Sequence, residues 1–363
     1  MVAQNNTKKV YPELLRILCA GLVIFNHIPG YTLYQTIGGL KRVPCLFLTM
    51  LTRINVPVFF MITGALLLDR QEDYRTVFRK RVVRILLLIV IAQTAYYCCA
   101  WFSDNYLRQR ETAFSFGALL RGILSGNKGA EAYWFLYSYL GLMLLLPMFQ
   151  RIARGMNKQD VVVLLGLHFL FSSFIPLANL ILSLFSIQGI SLHSKFLVSI
   201  ATKGVFFYPL IGYYLDHRVD IRALSSKALG LISILAVAGI AVSSACTCYQ
   251  GFTQGSFTQD YVMLFDYVTA IAVFLLVKRL MVVKAPGLSE GKIGMAICLV
   301  GSLTLGIYVF DPMLRRLFLR ASYFSNDRLL TLVTSFAWVI ASMIAGGLLT
   351  RLLRFIPGMK KIL

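Results

Sequence analysis

Charge is what this 363-residue sequence has least of: 14% of its residues are Asp, Glu, Lys or Arg, against about a quarter in ordinary soluble domains. That shortfall excludes a chain that clothes itself in a solvated polar surface. Acidic residues are scarcer still, 15 against 36 Lys and Arg, for a formal charge of +21. Such an excess can signal nucleic acid, but nucleic-acid binders carry basic patches on a solvated surface. Here Lys and Arg fall in short gaps between apolar runs, so no nucleic-acid partner is expected. The seven cysteines (Cys19, Cys45, Cys98, Cys99, Cys246, Cys248, Cys298) are scattered, with no C-x-x-C pair or His/Cys cluster. That pattern offers no zinc site, and no metal is expected. Cys98 or Cys99 meeting Cys246 or Cys248 would make a disulfide, which spacing alone does not establish. The first apolar run lacks a small-residue cleavage site and reads as a retained helix, not a signal peptide. There is no convincing internal repeat and no sign of an appended soluble domain, so 1–363 reads as one membrane domain.

What is abundant is apolar: 58% of residues, in runs approaching twenty that recur along the whole length. Twenty helical residues cross the roughly 30 Å hydrocarbon core of a bilayer. The runs predict an all-α integral membrane bundle of about ten transmembrane helices, near 12–31, 45–68, 82–102, 133–150, 161–183, 198–215, 228–248, 261–281, 295–314 and 330–350. Basic residues mark the cytoplasmic gaps. Lys8, Lys9, the cluster Arg79, Lys80, Arg81 and Arg84, then Arg151, Arg218, Lys278 and Arg351 fall on one side. About half as many, including Lys41, Arg108, Arg121 and Lys195, fall on the other. The bias places both termini in the cytoplasm, with Arg315, Arg316 and Arg320 as the exception. The gap 103–132 is the longest on the outer side and is expected to cover the mouth of the bundle.

Within the spans a few ionisable residues stand out, because a charge at a helix centre costs up to ~3 kcal/mol on insertion scales and tends to face a polar cavity. Arg16 and His27 share the first run, eleven positions and thus about 16 Å apart along a helix. Arg16 also fits a snorkelling anchor or a partner for Glu13, and His27 a helix cap before Pro29 and Gly30. Arg81 and Arg84, three apart, stack on one helix face at the head of the third run. The positive-inside bias explains them; so does gripping phosphate, whose oxygens match guanidinium forks. Arg53 and Lys203 are intramembrane cations that suit an acceptor cavity, with Asp266 as a counter-ion for one of them. His168 reads as a packed or helix-bonded side chain, and His193 and His217 as loop residues.

Several stretches together resemble the membrane acyltransferase-3 family. These are Arg, ten residues, then His in the first span; Arg-x-x-Arg at 81–84; "NVPVFFMITGALLL" (55–68), with Thr63 where the family has serine; "YWFLYSYLGLMLLLP" (133–147); and "SLTLGIYVFDPML" (302–314). They keep their order over essentially the whole chain. The family's frequent histidine in the ninth span is Asp311 here. Two readings of that carboxylate stand side by side: it orients His27, or it pairs with Arg315 one turn on. The resemblance implies an acyltransferase, expected to be a bacterial multi-pass plasma-membrane O-acetyltransferase. Acetyl-CoA is its implied donor and a hydroxyl of an envelope glycan or lipid-linked sugar its acceptor. It further implies that Arg16, Arg81 and Arg84 hold the phosphates of the coenzyme, while His27 acts as general base or transient acyl carrier. Tyr133, Trp134, Tyr137 and Tyr308 are candidates to line the passage, although aromatics in spans more often pack or form an interfacial belt. The competing class is a transporter of a small amino acid or an acyl or sugar intermediate. It would show paired broken helices in its two halves.

Overall fold

Runs of Leu, Ile, Val and Phe become helices here because hydrocarbon offers a peptide group no partner and a helix satisfies its own. The computed structural model describes residues 10–27, 42–193, 196–254, 263–319 and 328–363, and no strand occurs among them. Among the described residues, seven helices are long and apolar enough to cross a membrane. They are α1 (Val10–His27); Leu46–Leu67, built from α2 (Arg42–Thr52) and α3 (Asn55–Leu67); α4 (Tyr74–Leu107); α8 (Lys158–Leu184); α10 (Ser226–Gln254); α12 (Lys292–Phe318); and α13 (Arg328–Leu353). An eighth crossing results if α6 (Trp134–Leu144) and α7 (Leu146–Gly155) count as one, although they bend by 68°. Pro147 sits in the first turn of α7, where a missing N–H is harmless. This is a multi-pass membrane protein.

Two of the ten expected spans do not meet those criteria. The run at 198–215 yields α9 (Gly204–His217), fourteen residues with Pro209 inside. It rises about 21 Å and falls short of the core thickness. The run at 261–281 yields α11 (Asp266–Arg279), which continues through a π-helical turn at Leu280–Lys284 but carries Asp266, Lys278, Arg279 and Lys284. The long gap 103–132 contains a short apolar helix that is not among the expected spans, α5 (Phe116–Ser125). It is capped by Ser115 Oγ, which accepts from the Ala118 N–H at 3.2 Å. Pro29, Gly30, Lys41, Lys195 and Arg320 lie outside the described residues.

The chain divides into two compact units. The first comprises Met1–Leu22, Gly39–Asp69 and Ala153–Ser302. Its heart is the contact of α3 with α9, where two glycines let backbones touch. A Cβ at Gly64 would stand 1.8 Å from the Pro209 carbonyl oxygen, and one at Gly212 would stand 2.1 Å from that of Met61. Tyr11 Oη donates to Asp216 Oδ1 at 2.6 Å, and Lys278 Nζ meets the same oxygen at 3.0 Å. His217, expected in a loop, instead ends α9 and bonds the Ala65 carbonyl at 2.8 Å. Asp266 pairs with neither Arg53 nor Lys203 in the described contacts; it accepts from Tyr208 Oη at 3.0 Å.

The second unit comprises Val23–Gly38, Arg70–Ile152 and Leu303–Leu363. Here α12 and α13 cross closely. Gly306 leaves no room for a methyl group, because a Cβ there would lie 2.0 Å from Thr350 Oγ1. Fully buried Gln93 of α4 receives Asn127 Nδ2 at 2.8 Å and donates to Tyr137 Oη at 3.1 Å, which pins the α5 region to the helix. None of the six described cysteines, Cys19, Cys98, Cys99, Cys246, Cys248 and Cys298, forms a disulfide.

Candidate functional site

The second unit gathers ionisable groups at one place in its helical core. His27, last residue of α1, places Nδ1 2.9 Å from Asp311 Oδ2 on α12. Arg315, one turn further along α12, donates from Nε to that same oxygen at 3.2 Å. One oxygen of Asp311 therefore contacts both partners that sequence left open for it. Asp311 is fully buried, while the His27 side chain remains 20% exposed. A carboxylate only accepts hydrogen bonds, so the proton of that contact sits on Nδ1 and the lone pair of a neutral ring sits on Nε2. The second carboxylate oxygen, Oδ1, is buried and has no hydrogen-bond partner among the described residues. An acceptor left bare in a low-dielectric interior is costly unless something else fills the role.

Two tyrosines fix the depth of this cluster. Tyr133 Oη donates to the Val309 carbonyl at 2.5 Å, and Tyr308 Oη donates to the carbonyl of Ala132. Each ring thus bonds the backbone beside the other, and the pair packs edge to face at 6.2 Å. The start of α6 is laced to α12 two and three residues before Asp311. Beyond Asp311, Arg316 grips Asp104 through both carboxylate oxygens, at 2.6 and 2.5 Å. That accounts for the basic cluster that stood out against the charge bias: Arg315 and Arg316 each face a carboxylate inside the unit. Sequence reasoning missed Asp104 and Arg316, whose pairing joins positions 212 apart and leaves no local signal.

The other sequence candidates fall elsewhere. Arg81 donates from Nε and Nη2 to the two carboxylate oxygens of Glu72, at 2.9 and 2.8 Å. That bidentate grip holds the Glu72 carboxyl below its usual range. Arg84 donates instead to the Ile362 carbonyl at 3.2 Å. The two guanidiniums therefore serve different partners. Arg81 belongs to a π-helical turn at Phe78–Val82 and Arg84 to the α-helix that follows, which shifts the faces that simple spacing predicts. Tyr137 Oη donates to the Ile123 carbonyl at 2.6 Å, a bond inside the unit. Trp134 is 53% exposed and stands outside the cluster.

Arg16 and Arg53 belong to the first unit. Arg16 Nη1 meets Glu13 Oε1 at 2.8 Å. Buried Glu13 lies so close to Gly301 that a Cβ there would come 2.5 Å from Glu13 Oε2. Arg53 occupies the break between α2 and α3, its N–H bonded to the Met50 carbonyl at 3.1 Å. His168 is buried as expected and bonds the Ala201 carbonyl at 2.6 Å. Among the described residues no three His, Cys, Asp or Glu side chains converge as metal ligands would.

Residues 9–352 match a family model described as an acyltransferase domain, Acyl_transf_3. No curated protein and no solved structure gives a match.

Proposed function

The chain belongs to the Acyl_transf_3 acyltransferase family, and from that premise we propose that it is an O-acetyltransferase of the bacterial plasma membrane. In this reading acetyl-CoA is the donor and a hydroxyl of an envelope glycan or lipid-linked sugar the acceptor. The observation that carries it is the contact of His27 Nδ1 with Asp311 Oδ2 at 2.9 Å. A histidine held through Nδ1 by a buried carboxylate presents Nε2 as a base, and the carboxylate stabilises the imidazolium that forms. Nε2 takes the proton of the acceptor hydroxyl as its oxygen attacks the thioester carbonyl. The carbon–sulfur bond then breaks, and the departing thiolate recovers the proton as a thiol. Arg315 donates to the same oxygen, Oδ2, and so helps to hold the Asp311 carboxyl group in place beside His27. The bare Oδ1 is a ready acceptor for the acceptor sugar's hydroxyl or for a water.

Arg84, Arg81 and Arg16 are the candidates to hold the coenzyme phosphates. Of these Arg84 is the best placed for the role, because Arg81 and Arg16 already face carboxylates. A topology of ten crossings with both termini in the cytoplasm is part of the same reading. It would bring the coenzyme from the side of the Arg81–Arg84 cluster and put His27 in the outer half of the bilayer.

Mass spectrometry of envelope glycans tests the proposal. A strain carrying His27→Ala should lose the acetyl adduct while making normal amounts of membrane-inserted protein. Unchanged acetylation in that strain would sink it.

A further inference from the structure

A second feature of the second unit has no part in the chemistry above. The first turns of α4 and the end of α6 enclose a groove of about 460 Å³, lined in part by Tyr74, Arg75, Phe78, Arg79, Met143 and Leu144. That volume lies within the range of small-molecule sites, roughly 300–1,000 Å³. Its cations are exposed, and Arg75 and Arg79 stand four positions apart. Exposed Arg151 adds a third guanidinium nearby, 6.0 Å above the Tyr74 ring and bonded to its hydroxyl at 3.3 Å. Among the described residues, no acidic side chain lines the groove. Of the two acids just before α4, Glu72 has both oxygens occupied by Arg81, and Asp73 is bonded to Thr76.

The rest of the lining is apolar, and the same helix continues from Phe78 into Leu86, Leu87 and Val90, all exposed. An anionic group at Arg75 and Arg79 with a hydrocarbon tail along that stripe matches both halves of the surface. A water-soluble phosphate compound would leave the stripe unused. We propose that this groove binds an acidic phospholipid, its phosphate held by Arg75 and Arg79 and one acyl chain lying along α4. Guanidinium forks match phosphate oxygens bidentately, and basic pockets between membrane helices are suited to anionic head groups.

The test uses the full chain purified in detergent and offered equal amounts of phosphatidylglycerol and phosphatidylcholine, with retained lipid counted by native mass spectrometry. The wild type should retain phosphatidylglycerol preferentially. The double variant Arg75→Gln/Arg79→Gln should lose the preference by more than tenfold, at about fivefold for each basic residue. Arg75→Lys/Arg79→Lys, which keeps the charge but not the forks, should retain a preference between those of the wild type and the Gln variant, so a general folding defect is told apart from loss of the site. Equal retention of the two lipids by the wild type would overturn the proposal, as would undiminished preference in the Gln variant. So would stoichiometric displacement of phosphatidylglycerol by coenzyme A, which would assign the groove to the acyl donor instead.

Discussion

Two histidines in membrane helices, His27 and His168, show how differently one side chain is used. Both bond through Nδ1, at 2.9 and 2.6 Å. The partner of His27 is a carboxylate, and its ring keeps 20% of its surface open. The partner of His168 is the carbonyl of Ala201, its ring stacks on Phe207 at 4.0 Å and meets Tyr267 edge-on at 4.8 Å, and the residue is 4% exposed. A carbonyl fixes a tautomer as well as a carboxylate does, but it cannot compensate an imidazolium's charge. The ring with a counter-charge and an opening is equipped for proton transfer. The sealed ring is a packing element with a polar edge, and its Nε2 finds no partner among the described residues.

The contrast breaks if the two sites respond alike. The largest effect is expected from Asp311→Asn, which keeps the shape but removes the counter-charge and can turn the ring to the wrong tautomer. Turnover should fall by about 10²- to 10⁴-fold, measured as acetyl transfer by purified protein, with membrane insertion intact. An activity within a few-fold of wild type would reduce Asp311 to a structural partner of Arg315. Next comes His168→Ala, which should cost stability and leave the chemistry alone. Removing a buried ring from a packed core costs about 3 kcal/mol, read as a lowered thermal midpoint in detergent, while His168→Phe should recover most of it. Loss of activity in a folded His168→Phe protein would erase the distinction.

Two smaller effects sharpen the picture at the other basic cluster. Arg84→Ala should raise KM for acyl-CoA by about tenfold, the scale of one charge-assisted contact, with kcat nearly unchanged; the reverse split would remove Arg84 from coenzyme binding. Arg81 holds the Glu72 carboxyl below its usual range, so the pair contributes at neutral pH. That contribution fades as the pH falls below the ordinary carboxylate range, about 4, and through the lowered value. Glu72→Gln should therefore lower the thermal midpoint slightly at pH 7, flatten the acid limb between about pH 5 and 3, and match the wild type below that range. An unaltered acid limb would show that the ion pair is too solvated to matter.

Much of this architecture is legible in the sequence, because hydropathy reports the apolar runs that hydrocarbon forces into helices. Hydropathy does not report shape. The break at Arg53, the 68° bend before Pro147 and the short α9 all lie inside runs that read as uniform. For the site, His27 and Asp311 stand out singly because ionisable groups in apolar runs are rare. Their meeting, across 284 positions, belongs to tertiary packing. The Arg81–Arg84 pair misleads for a local reason: three-residue spacing predicts one face, but Glu72 and the Ile362 carbonyl draw the two guanidiniums apart.

The glycine contacts of α3 and α9 carry a last consequence. With Gly64 against Pro209 and Gly212 against Met61, the two backbones lie closer than any side chain would permit. A fourteen-residue segment is too short to find its own level in a bilayer. Welded at two points to α3, part of the 22-residue span Leu46–Leu67, α9 travels as that span's passenger, so the span determines how deep His217 and Asp216 ride. Adding a single methyl group at either glycine would unmoor them.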